Sequence, residues 1–126
     1  MGDHGFGVKN GRGTFWYENG QKAFEAHFKN GKREGRDTKW HENGQKKEET
    51  HRKNGERDGL EIRWYKNGQK ASERHHKEGK LISASVWKPD GEPCTETNIV
   101  DGSGVVVVYL ENGEKKYEEH WKNGTL

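Results

Sequence analysis

The segment Trp16-Tyr17-Glu18-Asn19-Gly20-Gln21-Lys22 returns as Trp40-His41-Glu42-Asn43-Gly44-Gln45-Lys46 and again as Trp64-Tyr65-Lys66-Asn67-Gly68-Gln69-Lys70, each time 24 residues on. A fixed period of that length means one supersecondary unit used repeatedly, each copy burying against its neighbours what it cannot bury alone. Five units are anchored by Trp16, Trp40, Trp64, Trp87 and Tyr109, and a turn glycine follows four residues after each: Gly20, Gly44, Gly68, Gly91 and Gly113. A second glycine comes 11 residues later, at Gly31, Gly55, Gly79, Gly102 and Gly124. Asn or Asp precedes every one of these glycines except Gly79, which follows Glu78. That dipeptide is the strongest short hairpin signal, because a type I′ turn needs positive φ at both central residues. Five units with two turns each predict an all-β, single-layer antiparallel meander of about ten short strands, forming one domain over residues 1–126.

Pairing outward from the Asn19-Gly20 turn sets Trp16 opposite Ala23 and Thr14 opposite Glu25. One face then carries Trp16, Ala23, Glu25 and His27. Continuing through the next turn sets Thr38 opposite Ala23 and Trp40 opposite Gln21, so the anchors stay on that face as a stacked aromatic ladder in place of an ordinary core. The parity fails once. From Gly79 to Trp87 is one residue shorter than from Gly55 to Trp64, and such a change flips every side chain unless a bulge absorbs it, which predicts an irregularity between Lys80 and Val86. Val105 to Leu110 is the one strongly apolar run and reads as the best-buried or an aggregation-guarding strand.

Composition narrows the class. Only 26% of the residues are hydrophobic and 35% are charged, so a thick core is hard to build. The regular spacing of five Trp, four Tyr and four Phe argues against disorder. With one cysteine, Cys94, no intrachain disulfide forms, which suits a cytoplasmic location. Met1-Gly2-Asp3-His4-Gly5-Phe6 has neither the basic nor the apolar run of a targeting segment, Phe6 stands where a myristoylation motif wants Ser or Thr, and no transmembrane segment is expected. A formal charge of +2 is too small for generic nucleic-acid binding, although seven histidines add positive charge as the pH falls through about 6.5.

Two ladders invite a chemical reading. Glu25, Glu49, Glu73, Glu96 and Glu118 each stand five residues past a turn glycine. A catalytic carboxylate has no reason to appear five times, so pairing with exposed backbone or with a cross-strand cation such as Arg36 is expected. His27, His51, His75 and His120 follow two residues later, with Asn98 in the fourth unit. Equivalent strands lie ~9.6 Å apart, whereas zinc ligands sit ~2.0 to 2.1 Å from the metal, so the ladder cannot share one ion. Only local trios, Glu25, His27 and Glu34, or Glu49, His51 and Asp58, leave room for a metal, and none is expected. No nucleophile has a base beside it and Gly11-Arg12-Gly13 is no phosphate loop, so neither catalytic residues nor cofactors are expected.

The other face holds Phe15, Tyr17, Phe24 and Phe28 in the first unit and Val108, Leu110, Tyr117 and Trp121 in the last. Between them Arg33, Lys39, Lys46, Arg52, Arg57, Arg63, Lys70 and Arg74 stand against Asp37, Glu48 and Glu61 only. The bland account is a solvated sheet face. The functional account is a partner-binding band of Arg33, Lys39, Lys46, Arg52, Arg63, Tyr65, Lys70 and Arg74 that attracts an acidic protein surface or anionic headgroups.

The unit, aromatic-aromatic-Glu-Asn-Gly-Gln-Lys, a Glu five past the glycine, then Lys-Asn-Gly-Lys, resembles the MORN repeat (membrane occupation and recognition nexus). More closely, it looks like the bacterial variant in proteins labelled YwqK-type antitoxins. The resemblance rests on Trp16 to Gly35, Trp40 to Gly59 and Trp64 to Gly79, and more weakly on Trp87 to Gly102 and Tyr109 to Gly124. Pro89-Asp90-Gly91-Glu92-Pro93 departs from the pattern. It implies a curved sheet of hairpins and a non-catalytic scaffold for protein–protein interaction, of the antitoxin kind that neutralises a partner toxin. The alternatives are a peripheral membrane module holding anionic phospholipid headgroups and a structural or surface-display repeat.

Overall fold

The computed structural model describes residues 9–126, so the reading of Met1 to Phe6 lies outside the described residues. These residues form strands β1 (Gly11–Trp16), β2 (Lys22–Lys29), β3 (Lys32–Arg33), β4 (Gly35–Trp40), β5 (Lys46–Lys53), β6 (Glu56–Trp64), β7 (Lys70–Lys77), β8 (Lys80–Val86), β9 (Asn98–Val100), β10 (Ser103–Tyr109) and β11 (Lys115–Trp121). Every pairing is antiparallel. The all-β hairpin meander is therefore present, divided into two sheets. The larger runs β1-β2-β4-β5-β6-β7-β8, with β3 paired to β2, and the smaller runs β11-β10-β9.

The two turns of each unit differ in kind. At the second, both central residues have positive φ, for example 54° at Asn30 and 80° at Gly31, as a type I′ turn requires. Glu78-Gly79 adopts the same form, with φ of 51° and 83°. At the first turn the expectation of type I′ is corrected: Gly20 has φ of 90° while Asn19 is not left-handed. Gly20 N donates to Tyr17 O at 3.0 Å and Tyr17 N to Gln21 O at 2.8 Å, the pattern of a three-residue loop with a type I turn and a left-handed glycine. The extra residue creates a bulge, so Trp16 faces Lys22 instead of Ala23, while Thr14 keeps its place opposite Glu25. The same shift sets Trp40 opposite Lys46 and Trp64 opposite Lys70.

A second correction concerns the step between units. Phe28 pairs with Arg33 but Glu25 pairs with Thr38, a slip of two residues at Glu34 and Gly35. Thr38 thus lies across from Glu25, not Ala23, although parity survives. In β8 the slip is one residue. His76 pairs with Leu81 and His75 with Ser83, leaving Ile82 out of register, so the irregularity expected between Lys80 and Val86 is there.

Successive units dock through their first turns. The Tyr17 hydroxyl donates to Trp40 O, His41 Nε2 to Trp64 O and the Tyr65 hydroxyl to Trp87 O. Asn19, Asn43 and Asn67 donate through Nδ2 to Glu42 O, Lys66 O and Pro89 O. Unit four breaks this series, because Asp90 stands where the others have the Asn amide donor. There Trp87 and Pro93 make only an isolated bridge, Cys94 N donates to Val86 O, and the chain leaves the ladder before β9. Pro93 has no N–H with which to continue it. Unit five instead folds back on unit three. Glu111 accepts from Lys66 N, and Arg74 is 2.9 Å from Glu119.

That fold-back makes the apolar core, which joins Tyr65, Leu81, Val86, Cys94, Ile99, Val106, Val107 and Tyr109. Val106 and Val107 are fully enclosed, as expected of the Val105 to Leu110 run, whereas Leu110 at its end is exposed. The tryptophan ladder as core is corrected: Trp16 is 61% exposed, and Trp40, Trp64 and Trp87 are half-buried. Of the five anchors only Tyr109 is in the core, because the fold-back places the second layer over the opposite face. No helix is long and apolar enough to cross a membrane among the described residues.

Candidate interaction surfaces

The middle of the face opposite the tryptophans is a buried polar layer. Its central row runs Asp37, Thr50, Glu61, Arg74 and Ala84 as cross-strand neighbours. Glu61 is 1% exposed and Arg74 3%, levels at which an uncompensated charge is costly. Each is compensated. His76 Nε2 lies 2.7 Å from Glu61 Oε1 and Arg63 Nη2 3.0 Å from Glu61 Oε2. Arg57 stands 3.9 Å from Glu61 and Arg63 3.8 Å from Glu48. Asp37 Oδ2 accepts from Arg52 Nε at 3.0 Å and from Arg33 Nη1 at 3.3 Å.

The carboxylates respond differently to this setting. Burial pushes Glu61 up, but the His76 hydrogen bond and the Arg63 and Arg57 charges outweigh it and hold the group well below the usual range. At Asp37 burial prevails over Arg52 and Arg33, and the carboxyl is raised. Burial lowers Arg63, yet Glu61 and Glu48 more than restore it, so it is raised overall. Burial also lifts Tyr65 to about 12. For Cys94 burial is outweighed by hydrogen bonds from Thr97 and Tyr109, and the thiol is lowered.

The open basic band is therefore corrected. Arg33, Arg52, Arg63 and Arg74 belong to the internal ion pairs, and Arg74 pairs with Glu119. Tyr65 is in the core. Lys46 and Lys70 have moved to the tryptophan face through the turn bulge, where they meet Glu49 (2.6 Å for Lys46) and Glu73. Of the eight residues, only Lys39 remains an exposed cation on the expected face, 5.9 Å from the Phe24 ring centre. Sequence reasoning missed Glu119 and His76. The available signal for the layer was charge sign, since Glu61 falls directly opposite Arg74 in the register.

The tryptophan face is the open one. Trp16, Lys22, Trp40, Lys46, Trp64 and Lys70 alternate along its first turns, with Lys22 5.7 Å from the Trp40 ring centre and Lys70 5.6 Å from that of Trp87. Next to them lies the glutamate row. Glu25 meets Lys22 at 3.2 Å and Arg12 at 3.1 Å, and Glu49 meets Arg36 at 3.9 Å. Glu96 and Glu118 share Lys115. Arg12 and Arg36 make the cross-strand pairing expected, whereas Glu73 and Glu118 meet lysines three residues earlier on their own strands. His27, His51, His75 and His120 are exposed beyond that row, and Asn98 accepts from Val105 N. The two metal trios do not assemble. Glu34 accepts from Asn54 N and Asp58 from Glu78 N, and among the described residues no group of three His, Cys, Asp or Glu is placed to hold a metal ion.

Comparison with known families gives one match. A family model described as a MORN repeat variant covers residues 9–30, 33–54, 57–78 and 103–123. No curated protein and no solved structure matches the chain. The unmatched interval, 79–102, is the unit within which the sheet divides.

Proposed function

The chain belongs to the MORN repeat variant family, and from that premise we propose that it is a non-catalytic scaffold that binds another protein through its tryptophan face. One observation carries this reading. The arginines of the opposite face are committed to internal ion pairs, while the tryptophan face leaves Trp16 largely exposed beside alternating lysines. Large aromatic side chains, here one exposed and three half-buried at a regular spacing, are the usual anchors of a protein interface. The similarity to YwqK-type antitoxins supports neutralisation of a toxin as the biological outcome, with the face occluding the partner. Affinity capture from the native lysate, followed by co-expression of the captured protein, tests it. The native chain is expected to relieve that protein's toxicity, and a chain carrying Trp16→Ala and Trp64→Ala is expected to lose capture while keeping its fold.

A second reading has its own support in the same row. Tryptophans alternating with lysines suit the interface of an anionic bilayer, where rings sit at headgroup depth and ammonium groups meet phosphate. Sedimentation with anionic vesicles separates the two. Tight, salt-sensitive binding by the isolated chain favours the membrane, and its absence favours the protein partner.

A further inference from the structure

Where the two sheets meet, a recess of about 50 Å³ is lined by Arg63, Tyr65, Ser72, Arg74, Val107 and Tyr109, among others. It opens off the apolar core, and Ala71, Val86, Val107 and Val108 complete its wall. Two of its lining groups, Ser72 Oγ and Arg74 Nε, are buried and have no hydrogen-bonding partner in the protein. Both residues are more than nine-tenths enclosed. A buried polar atom left unpaired costs about 1 to 3 kcal/mol, and native folds rarely tolerate two in one recess.

We infer that ordered water occupies this recess, accepting a hydrogen bond from Arg74 Nε and bonding Ser72 Oγ, so that the joint between the sheets is hydrated. A site needs roughly 10 to 15 Å³ of such space and two or more polar partners to hold one water. This recess meets both conditions. A small anion is disfavoured by charge. The two guanidinium groups on the lining, Arg63 and Arg74, are already matched by Glu61, Glu48 and Glu119, so neither offers an unmatched positive charge to an anion. An uncharged occupant that both donates and accepts suits the pair of orphaned groups.

The test uses the full chain in solution. Water-selective NMR exchange spectra are expected to show a long-lived water at the Arg74 Nε–H, a signal assigned by its loss in Arg74→Lys. The cross-peak should persist in Ser72→Ala, which keeps the space, and vanish in Ser72→Val, which fills it. Under xenon pressure the methyl groups of Val86, Val107 and Val108 should not shift, because a recess already held by hydrogen-bonded water excludes the gas. A missing cross-peak in the native chain, or xenon-induced shifts at those methyls, overturns the inference. Should Ser72→Val fail to fold, the native and Ser72→Ala spectra decide the matter alone.

Discussion

Glu61 on β6 and His76 on β7 meet at 2.7 Å, with both side chains all but sealed from solvent. The pair sits at the middle of the polar layer, between Arg63 and Arg57 on its own strand. Glu61 is held well below its ordinary range. A carboxyl depressed in the fold contributes stability that is complete above its unfolded value, about 4.3, and is lost as the pH falls below it. Chemical denaturation from pH 6 to pH 3 is expected to show a steep acid loss that flattens in Glu61→Gln. Asp37, raised in the fold, works in the opposite sense and limits the total. An unchanged acid limb in Glu61→Gln would remove the pair from the account. At neutral pH the same substitution should cost on the order of 3 kcal/mol, because it takes the shared carboxylate from the buried His76 and from the half-buried Arg63 and Arg57.

The location of the core ranks three truncations. Leu81→Ala, at a site 1% exposed, should destabilise by ~2 to 5 kcal/mol through lost burial and the cavity left behind. Trp16→Ala, largely exposed, should stay within about 1 kcal/mol. Trp64→Ala should fall between them. Thermal melts giving Trp16→Ala the largest loss would restore the tryptophans as the core.

Arg74 provides a contrast between stability and binding. Arg74→Ala leaves Glu119 without its guanidinium in a nearly enclosed site and should cost ~3 to 5 kcal/mol. Removing Arg52, Arg63 and Arg74 together is therefore expected to abolish folding, as read by circular dichroism, before any binding can be measured. A folded triple variant with weakened binding would return the basic band to the surface.

Gly104 marks the tightest backbone approach in the small sheet. Its φ is 141°, and a Cβ there would lie 1.8 Å from Asn98 O. That overlap is with backbone, so no side-chain rotation relieves it. Gly104→Ala should separate β9 from β10 and cost more than about 2 kcal/mol. A melting temperature like that of the native chain would contradict the register given for β9.

The docking asparagines predict an asymmetry along the array. Asn67 bonds Pro89 O in the next unit and Gln69 N within its own turn. Asn112 makes only local bonds, to Glu114. Asn67→Ala should thus cost ~0.5 to 1.5 kcal/mol more than Asn112→Ala in paired denaturation curves, the worth of one additional hydrogen bond.

The period of 24 residues, the glycines and the anchors were enough to read the hairpin units, their antiparallel order and the irregular β8. They were enough because turn chemistry and period-two alternation act over a few residues. The difference between the two turns was not legible, since Asn-Gly fits a two-residue and a three-residue loop alike. That single residue carried Lys46 and Lys70 to the other face, and with them part of the expected binding band.

Sequence alone thus determined the repeat, the strand class and the pairing of the glutamates with nearby cations, because each depends on neighbours set by local register. Only the tertiary structure decided which face is inside. Glu111 reaching Lys66 and Arg74 reaching Glu119 bring together groups 45 residues apart, and no periodicity encodes a contact across a broken repeat. Once unit five folds over that face, the charges there must pair or be expelled. The aromatic row that looked like the core is left at the surface, with Trp16 largely exposed and Trp40, Trp64 and Trp87 half-buried.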